Sequence, residues 1–267
     1  MLDRTLSAIE RRVRPQRSAY PGRVIFLHLA KAAGTTVDAA IETALGRPVK
    51  FALSPDASRR AAEGLSLSME AFRQEMLMYA LAHERMDFIT GHLPWCRQAE
   101  ALRRPDDVFV TVLRHPYDRL LSLYYFNRNK PDDRRHFGTD ASLSDWLDLM
   151  DREIGVSDYA RFFSGWTEGE LLAEAGSLEA ARALGVERAI EAIATLDIVG
   201  DVSRMEDFAQ RFEAATGCPL RPERRRESPV DYPGWEDQPT EIRDRVAAHA
   251  ADDLRIYASV FPDLAAR

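Results

Sequence analysis

The chain has 267 residues and carries 36 Lys and Arg against 43 Asp and Glu, a formal net charge of -7. This acidic excess argues against general attraction to nucleic acid or to an acidic membrane, so any anionic ligand must be met by locally placed Arg and Lys. The two cysteines form no CxxC pair and no run approaches ~18 uninterrupted apolar residues, which excludes a disulfide framework, a zinc site and stable membrane insertion.

Residues 1–20 are predicted to form a basic helical lead-in. Leu2, Leu6, Ile9 and Val13 recur at helical spacing in this stretch. It lacks the apolar core of a signal peptide, which favours a cytoplasmic location.

A strand, a turn and a helix are predicted over residues 24–46. The apolar run VIFLHL, Val24–Leu29, is typical of a strand that is buried on both faces of a parallel sheet. The turn KAAGTT follows at residues 31–36. An apolar stripe with helical period then begins at Val37, and Gly46 is placed to end the helix.

Strands and helices continue to alternate along the chain. The further predicted elements are a helix around 68–83, strands Phe88–Thr90 and Val108–Leu113, a helix opened by Pro116, a helical excursion over 129–187, a strand Leu196–Val199, helices Glu206–Ala215 and Glu241–Tyr257, and a loop over 219–239. This alternation predicts one α/β domain over 1–267, an open, mostly parallel sheet flanked by helices, with the excursion after the third strand unit.

The turn after the first predicted strand has the composition of an anion-binding loop. In an open parallel sheet, ligands gather at the carboxyl ends of the strands, where a helix N-terminus offers free N–H groups. Ala33 and Gly34 allow close approach of the backbone, and Lys31 supplies a charge that can follow a leaving oxygen. Thr35 and Thr36 add hydroxyl donors. The order Lys, Gly, Thr does not match the Walker A loop, and a small-residue connection without a ligand is the alternative for this segment alone.

A second segment, VTVLRHPYDRLLSLYYF over residues 110–126, places a cation and a hydroxyl after another strand. Arg114 follows the strand, and Ser122 lies eight residues later in an apolar stretch of the next helix. A hydroxyl among such leucines and tyrosines needs a polar partner. The two segments together favour a bound oxyanion.

The two segments resemble the nucleotide-binding motifs of the sulfotransferases that use 3'-phosphoadenosine 5'-phosphosulfate (PAPS). The likeness is to the Golgi-type carbohydrate enzymes, especially the uronosyl 2-O-sulfotransferase branch and its bacterial relatives, and it covers residues 24–45 and 87–128. It implies a P-loop-like fold, PAPS as sulfuryl donor and no metal. The residues that it assigns to the 5'-phosphosulfate are Lys31, Ala33, Gly34, Thr35 and Thr36, and those that it assigns to the 3'-phosphate are Arg114 and Ser122. Ala30 and Ala32 depart from the motif, which usually has proline and threonine there.

Sulfuryl transfer to an alcohol requires removal of the hydroxyl proton, a task suited to an imidazole with a pKa near 6.5. Of the six histidines, His92 follows an apparent strand and Gly91, so it should emerge at the same sheet edge as Lys31 and Arg114. Its Gly-His pair also resembles the position of the catalytic base in the 2-O-sulfotransferase branch, with a structural or substrate-orienting histidine as the alternative. Four of the others are interpreted as structural, and they are His28 in the first strand, His83 and His249 on helices and His136 in a charged loop. For His115, a structural or cofactor-facing role and no role are equally open.

In the resulting hypothesis, His92 deprotonates the acceptor hydroxyl and the sulfuryl group passes across in line. Lys31 and the amides of Gly34–Thr36 stabilise the departing 3',5'-bisphosphate. The catalytic residues of the hypothesis are thus His92 and Lys31.

The resemblance implies an acceptor hydroxyl on a carbohydrate, while a small-molecule alcohol, phenol or amine stays open. Residues 129–187 are assigned to the acceptor side. Arg119, Asn127 and Arg128 either line the acceptor pocket or form a salt-bridged helix surface, and Arg224–Arg226 either close over a ligand or are solvated. A chain without the membrane anchor of the animal relatives fits a bacterial enzyme that modifies a sugar precursor before export. The motifs do not reveal the oligomeric state or the residues that contact adenine.

Two other functions compete with this interpretation. A P-loop-type kinase or NTPase would need a Mg²⁺-binding aspartate, for which Asp201 is the candidate. A nucleotide-binding module that has lost catalysis and binds a partner would be consistent with Ala30 and Ala32.

Overall fold

We describe the protein from a computed structural model, over residues 18–130, 138–152, 155–222 and 232–266. Residues 1–17 of the predicted lead-in, together with His136 and Arg224–Arg226, lie outside these ranges. Across the described ranges, none of the helices combines the length and the apolar character that crossing a bilayer requires.

The described strands form one sheet in which all pairings are parallel. The strands are β1 Arg23–Leu27, β2 Lys50–Ala52, β3 Phe88–Gly91, β4 Asp107–Leu113 and β5 Ile198–Asp201. Their order across the sheet is β2-β3-β1-β4-β5. The predicted α/β class with an open parallel sheet is therefore confirmed.

The central strand β1 shows how the sequence produces a sheet with two buried faces. All of RVIFL is buried. Because successive side chains of a strand point to opposite faces, Val24 and Phe26 join the hydrophobic core on one side and Ile25 and Leu27 join the core on the other. A nearly continuous apolar run is therefore required at this position.

Helices connect and cover the strands. They are α1 Gly34–Ala44, α2 Pro55–Gly64, α3 Met69–Ala82, α4 Pro116–Arg128, α5 Leu143–Arg152, α6 Asp158–Phe163, α7 Glu168–Ala175, α8 Leu178–Ile193, α9 Met205–Thr216, α10 Thr240–His249, α11 Ala251–Val260 and α12 Pro262–Ala265, with 3₁₀ turns at Arg97–Leu102 and Val202–Arg204. Helices α1 and α9 cover the face that contains Phe26. Helices α3, α6, α8 and α11 supply residues to the opposite face, and α4, α5 and α10 share a third cluster around Tyr117 and Trp146.

Three sequence predictions need correction. Strand β2 and helix α2 were not predicted, because Lys50–Ala52 is a three-residue edge strand without an apolar run. The helical excursion consequently follows the fourth strand and not the third. The predicted helix Glu241–Tyr257 is two helices that break at Ala250, and the break lets Val246 pack on the cluster around α4 while Tyr257 packs on the sheet.

A buried ion pair joins the amino ends of β1 and β4, away from the carboxyl edge. Arg23 Nε donates to Asp107 Oδ1 at 2.7 Å and Nη2 donates to Oδ2 at 2.5 Å. The side chains are 3% and 0% exposed. Arg23 also donates to the carbonyl oxygens of Leu81 and Leu102, at 2.6 and 3.2 Å, so each of its three guanidinium nitrogens has a hydrogen-bond acceptor.

Candidate functional site

The strand order creates a crevice at the carboxyl edge between β1 and β4. The connection that leaves β1 leads to β2 on one side of the sheet, and the connection that leaves β4 leads to β5 on the other side. Such a reversal is where open α/β sheets bind ligands. Lys31, His92 and Arg114 follow the neighbouring strands β1, β3 and β4, so the structure brings the three predicted segments to adjacent strand ends.

The turn that follows β1 is held in an uncommon backbone conformation. Lys31 and Ala33 both have positive φ, 66° and 56°, although neither is glycine, and Ala32 between them does not. The left-handed region costs an ordinary residue roughly 1–2 kcal/mol, so the rest of the fold must impose it. Backbones in which the sign of φ alternates form concave groups of N–H donors that bind anions.

Helix α1 begins directly at this turn and presents its N-terminus to the crevice. Ala33 is its N-cap residue, no side chain of the described residues caps it, and its first turn contains no acidic residue. The N–H groups of Gly34 and Thr35 are among those that an α-helix leaves without an internal acceptor. Together with the positive end of the helix dipole, they favour an oxyanion at this point.

Gly34 is required because its backbone lies against the ring of His28. A Cβ atom at position 34 would lie 1.6 Å from His28 Nε2 and 1.8 Å from Cδ2. No side chain fits in that space. The imidazole of His28 is thus packed directly against the turn at Gly34.

His28 in turn contacts the candidate base. The ring centroids of His28 and His92 are 4.3 Å apart, and the His28 ring also stacks on Phe26 at 5.5 Å. Burial, followed by the nearby His92, lowers the pKa of His28 to about 3, so His28 stays neutral and does not compete for a proton. It was predicted as a core histidine of the first strand, but it lies one residue beyond β1 and touches both the turn and His92.

The tautomer of His92 follows from its one hydrogen bond to the backbone. His92 Nδ1 lies 2.8 Å from the carbonyl oxygen of His28, and since that oxygen can only accept, Nδ1 carries the proton and donates it. The lone pair is therefore on Nε2. Burial lowers the pKa of His92, against the opposing effect of this hydrogen bond, and the charge of Arg73 lowers it further.

A polar network that the sequence did not reveal ties helix α1 to the strand that carries His92. Thr90 Oγ1 donates to Asp38 Oδ1 at 2.7 Å, and Lys50 Nζ donates to Asp38 Oδ2 at 2.7 Å. Thr90 is two residues before His92, and Asp38 is one turn beyond Gly34. Asp38 therefore links the turn to the histidine.

Arg114 lies across the crevice from these groups. Its Nη1 is 3.5 Å from the carbonyl oxygen of Lys31, and its own carbonyl oxygen accepts a hydrogen bond from the hydroxyl of the buried Tyr159. Lys31 Nζ is 3.8 Å from the centroid of the Phe126 ring on helix α4. Ser122 is 7% exposed and lies one turn before Phe126 on the same face of α4, which is the face directed toward Lys31.

The other candidates occupy structural positions. Arg119 is 3% exposed and bonds Asp158 at 2.6 Å and Asp253 at 3.3 Å, so the salt-bridged interpretation of this residue holds and a pocket-lining role does not. Arg128 Nη1 donates to the carbonyl oxygens of residues 140 and 141. His115 is buried and caps helix α4, accepting from the backbone N–H of Tyr117.

Asp201, the candidate Mg²⁺ ligand of the kinase alternative, ends β5. It accepts hydrogen bonds from the backbone N–H of Ser203 and from the hydroxyl of Tyr257, both at 2.7 Å. It is 3% exposed, and these bonds engage both carboxylate oxygens. In the part of the chain that the structure describes, no three His, Cys, Asp or Glu side chains are grouped to hold a metal ion.

Comparison with known proteins gives distant likenesses. No family model and no curated protein matches the chain. Among solved structures, mouse sulfotransferase SULT7A1 complexed with PAP is 13% identical with a TM-score of 0.40, over 93% of this chain and 68% of that chain. A sulfotransferase from Alicyclobacillus acidocaldarius is 14% identical with a TM-score of 0.45, over 89% of this chain and 94% of that chain. Likenesses of this size carry no argument about activity, which must rest on the residues of this chain.

Proposed function

We propose that this chain is a sulfotransferase that moves a sulfuryl group from PAPS to the hydroxyl of an acceptor, with His92 as general base. The observation that carries the proposal is the contact series in which the turn at Gly34 lies on His28 and His28 lies on His92. It joins an oxyanion-binding helix terminus to a neutral imidazole whose Nε2 is available as a base.

The residues at the turn fit a phosphosulfate. The helix terminus offers N–H donors with no side-chain cap among the described residues and no acidic group in its first turn, and Lys31 adds a positive charge. Position 34 has no room for a Cβ atom, so no side chain of residue 34 covers the backbone N–H donors. We assign the 5'-phosphosulfate to Lys31 and residues 33–36, and the 3'-phosphate to Arg114 and Ser122. When bound, PAPS supplies the sulfuryl group and leaves as the 3',5'-bisphosphate.

His92 takes the acceptor proton at Nε2. The Nδ1 proton stays on the ring and remains hydrogen-bonded to the carbonyl oxygen of His28, so the imidazolium that forms keeps an acceptor for its positive charge. Because burial lowers the pKa of His92, the ring is neutral near pH 7 and ready to accept the proton. The neighbouring His28 stays neutral and adds no repulsion.

Lys31 stabilises the charge that develops on the leaving oxygen. Its ammonium group lies 3.8 Å from the centroid of the exposed Phe126 ring, a cation–π contact worth about 0.5–1 kcal/mol at such a site. Preorganised donors of this kind commonly contribute several kcal/mol to catalysis.

A carbohydrate is the acceptor that we propose, on the motif resemblance alone. Residues 129–187 supply helices α5, α6 and α7 and the start of α8, which we assign to the acceptor side, and we expect the enzyme to act in the cytoplasm.

The test is calorimetric titration of the protein with 3'-phosphoadenosine 5'-phosphate (PAP). We expect a micromolar Kd that weakens roughly 10- to 100-fold when the 3'-phosphate is omitted or in Arg114→Ala, since hydrogen bonds to charged groups contribute about 1.5–3 kcal/mol. Arg188→Ala is the control, because Arg188 lies on the exposed face of α8 in an ion pair with Glu191. Absence of binding, or equal binding of ATP with Mg²⁺, would overturn the sulfotransferase proposal.

A further inference from the structure

A cavity of about 370 Å³ opens between helices α2 and α3. Its lining residues are Pro55, Asp56, Arg59, Ala62, Glu63, Leu67, Met69 and Arg73. Helix α2 begins three residues after β2 ends, so this part of the cavity lies at the carboxyl edge of the sheet. None of the residues that we assign to PAPS lines this cavity.

Two contacts place the walls of the cavity against the chain segments before and after His92. The backbone N of Leu53 lies 3.5 Å from the position of a Cβ on Gly91, the residue before His92, and Pro55 in the cavity wall follows Leu53 closely in the chain. On the other wall, Gln74 Nε2 donates to the carbonyl oxygen of Trp95 at 2.9 Å, which holds this turn of α3 against the segment after His92. Strand order puts β2 and β3 on one side of β1, and Arg114 follows β4 on the other side. The cavity and the residues assigned to the 3'-phosphate therefore flank β1 from opposite sides.

Arg73 is the unusual residue in this cavity. Within the described ranges, four arginines have a buried Nε atom without a hydrogen-bond partner, and they are Arg59, Arg73, Arg119 and Arg243. Three of them are still neutralised by a carboxylate, at 2.9 Å for Arg59, 2.6 Å for Arg119 and 3.8 Å for Arg243. Among the described residues, no carboxylate forms an ion pair with Arg73, and burial alone lowers its pKa.

Partial burial of a guanidinium without a counter-ion is unfavourable, and charged groups in such surroundings are concentrated at functional sites. Glu63 in the same cavity is already paired with Arg59 at 2.9 Å. Asp56 lies in the first turn of α2, where the helix dipole favours a negative charge. Of the two arginines that line the cavity, Arg73 is therefore the one whose positive charge is left to bind an anion.

We propose that this cavity is the acceptor subsite and that Arg73 binds an oxyanion of the acceptor, a carboxylate or a sulfate ester, beside the hydroxyl that His92 deprotonates. The proposal rests on the proposed function for the identity of the reaction. Arg73 would act as a specificity-determining residue, because a planar guanidinium binds a carboxylate or sulfate through two parallel hydrogen bonds. Neutral sugars of the same shape would lack this contact.

The experiment measures weak binding directly on the PAP-loaded protein at pH 7.5. Three matched probes are methyl glucoside, methyl glucuronide and methyl glucoside 6-sulfate, which differ at C6 alone. Binding is followed by NMR through the ¹³C–¹H signal of the His92 ring, assigned by its loss in His92→Asn. We expect a saturable shift with at least one charged probe, at least tenfold tighter than with methyl glucoside.

Arg73→Gln should abolish this preference and leave PAP affinity unchanged. Arg59→Gln is the matched control, since Arg59 lines the same cavity but is paired with Glu63, and it should keep the preference. Equal binding of all three probes, no saturable shift, or a preference that survives Arg73→Gln would overturn the proposal. PAP binding in the same samples reports separately on the proposed function.

Discussion

Replacing Gly34 with alanine tests the contact between His28 and the turn that follows β1. The added Cβ would lie 1.6 Å from His28 Nε2, far inside van der Waals contact. The His28 ring has little room to move, because Phe26 stacks on it at 5.5 Å and the His92 ring lies 4.3 Å away. The methyl group must therefore displace His28 or open the turn.

The size of the effect follows from two opposing contributions. Overpacking of a filled site typically destabilises by about 1–3 kcal/mol. Alanine is favoured over glycine in a helix by up to about 1 kcal/mol, which reduces the loss. We expect Gly34→Ala to lower the free energy of unfolding by about 1–2 kcal/mol, or Tm by roughly 2–8 °C for a domain of this size. Because His92 shares the displaced contact, kcat should also fall, by about tenfold or more.

Thermal unfolding followed by circular dichroism measures the stability change, with Gly169→Ala as matched control. Gly169 also lies in the first turn of a helix, α7, but a Cβ there would meet nothing within 4 Å. The control should be as stable as the parent or slightly more stable. In the double variant His28→Ala with Gly34→Ala, the second change should no longer destabilise, a coupling that a double-mutant cycle measures. If Gly34→Ala were as stable as the Gly169→Ala control, the packing argument would be wrong.

Three further predictions concern the base and the ion pair at the opposite sheet edge. The acid limb of the pH profile of kcat/KM should have its midpoint below 6.5, because burial lowers the pKa of His92 and activity rises as the ring loses its proton. His92→Ala should lower kcat about 10²- to 10⁴-fold without changing PAP affinity, and a fully active variant would remove His92 from the mechanism. Asp107→Ala should lower the free energy of unfolding by about 3–5 kcal/mol in urea titration, because it leaves the buried Arg23 without its counter-ion. Glu191→Ala, which breaks an exposed pair with Arg188, should leave the midpoint unchanged, and equal behaviour of the two variants would contradict the argument.

Much of the fold could be predicted because the decisive patterns are local. A few consecutive residues are enough to predict the apolar strands β1 and β4. The same is true of helix α1, whose apolar residues recur with helical period. Strand β2 has no such signal, since a three-residue edge strand is selected by its pairing with β3. The break at Ala250 was likewise invisible, because one continuous apolar stripe serves two clusters that meet only in the folded chain.

The sequence by itself determined where the candidate residues for an oxyanion stand: a lysine and small-residue turn after one strand, a histidine after another, an arginine and a serine after a third. These are short-range patterns, readable because parallel strands bring their carboxyl ends to one edge. Only the tertiary structure decided that His28 lies between Gly34 and His92 and that a backbone carbonyl fixes the proton of His92 on Nδ1. It also decided that the buried Nε of Arg73 has no hydrogen-bond partner among the residues that the structure describes. Each of these facts depends on atoms from segments far apart in the chain, and packing, rather than local propensity, sets their distances.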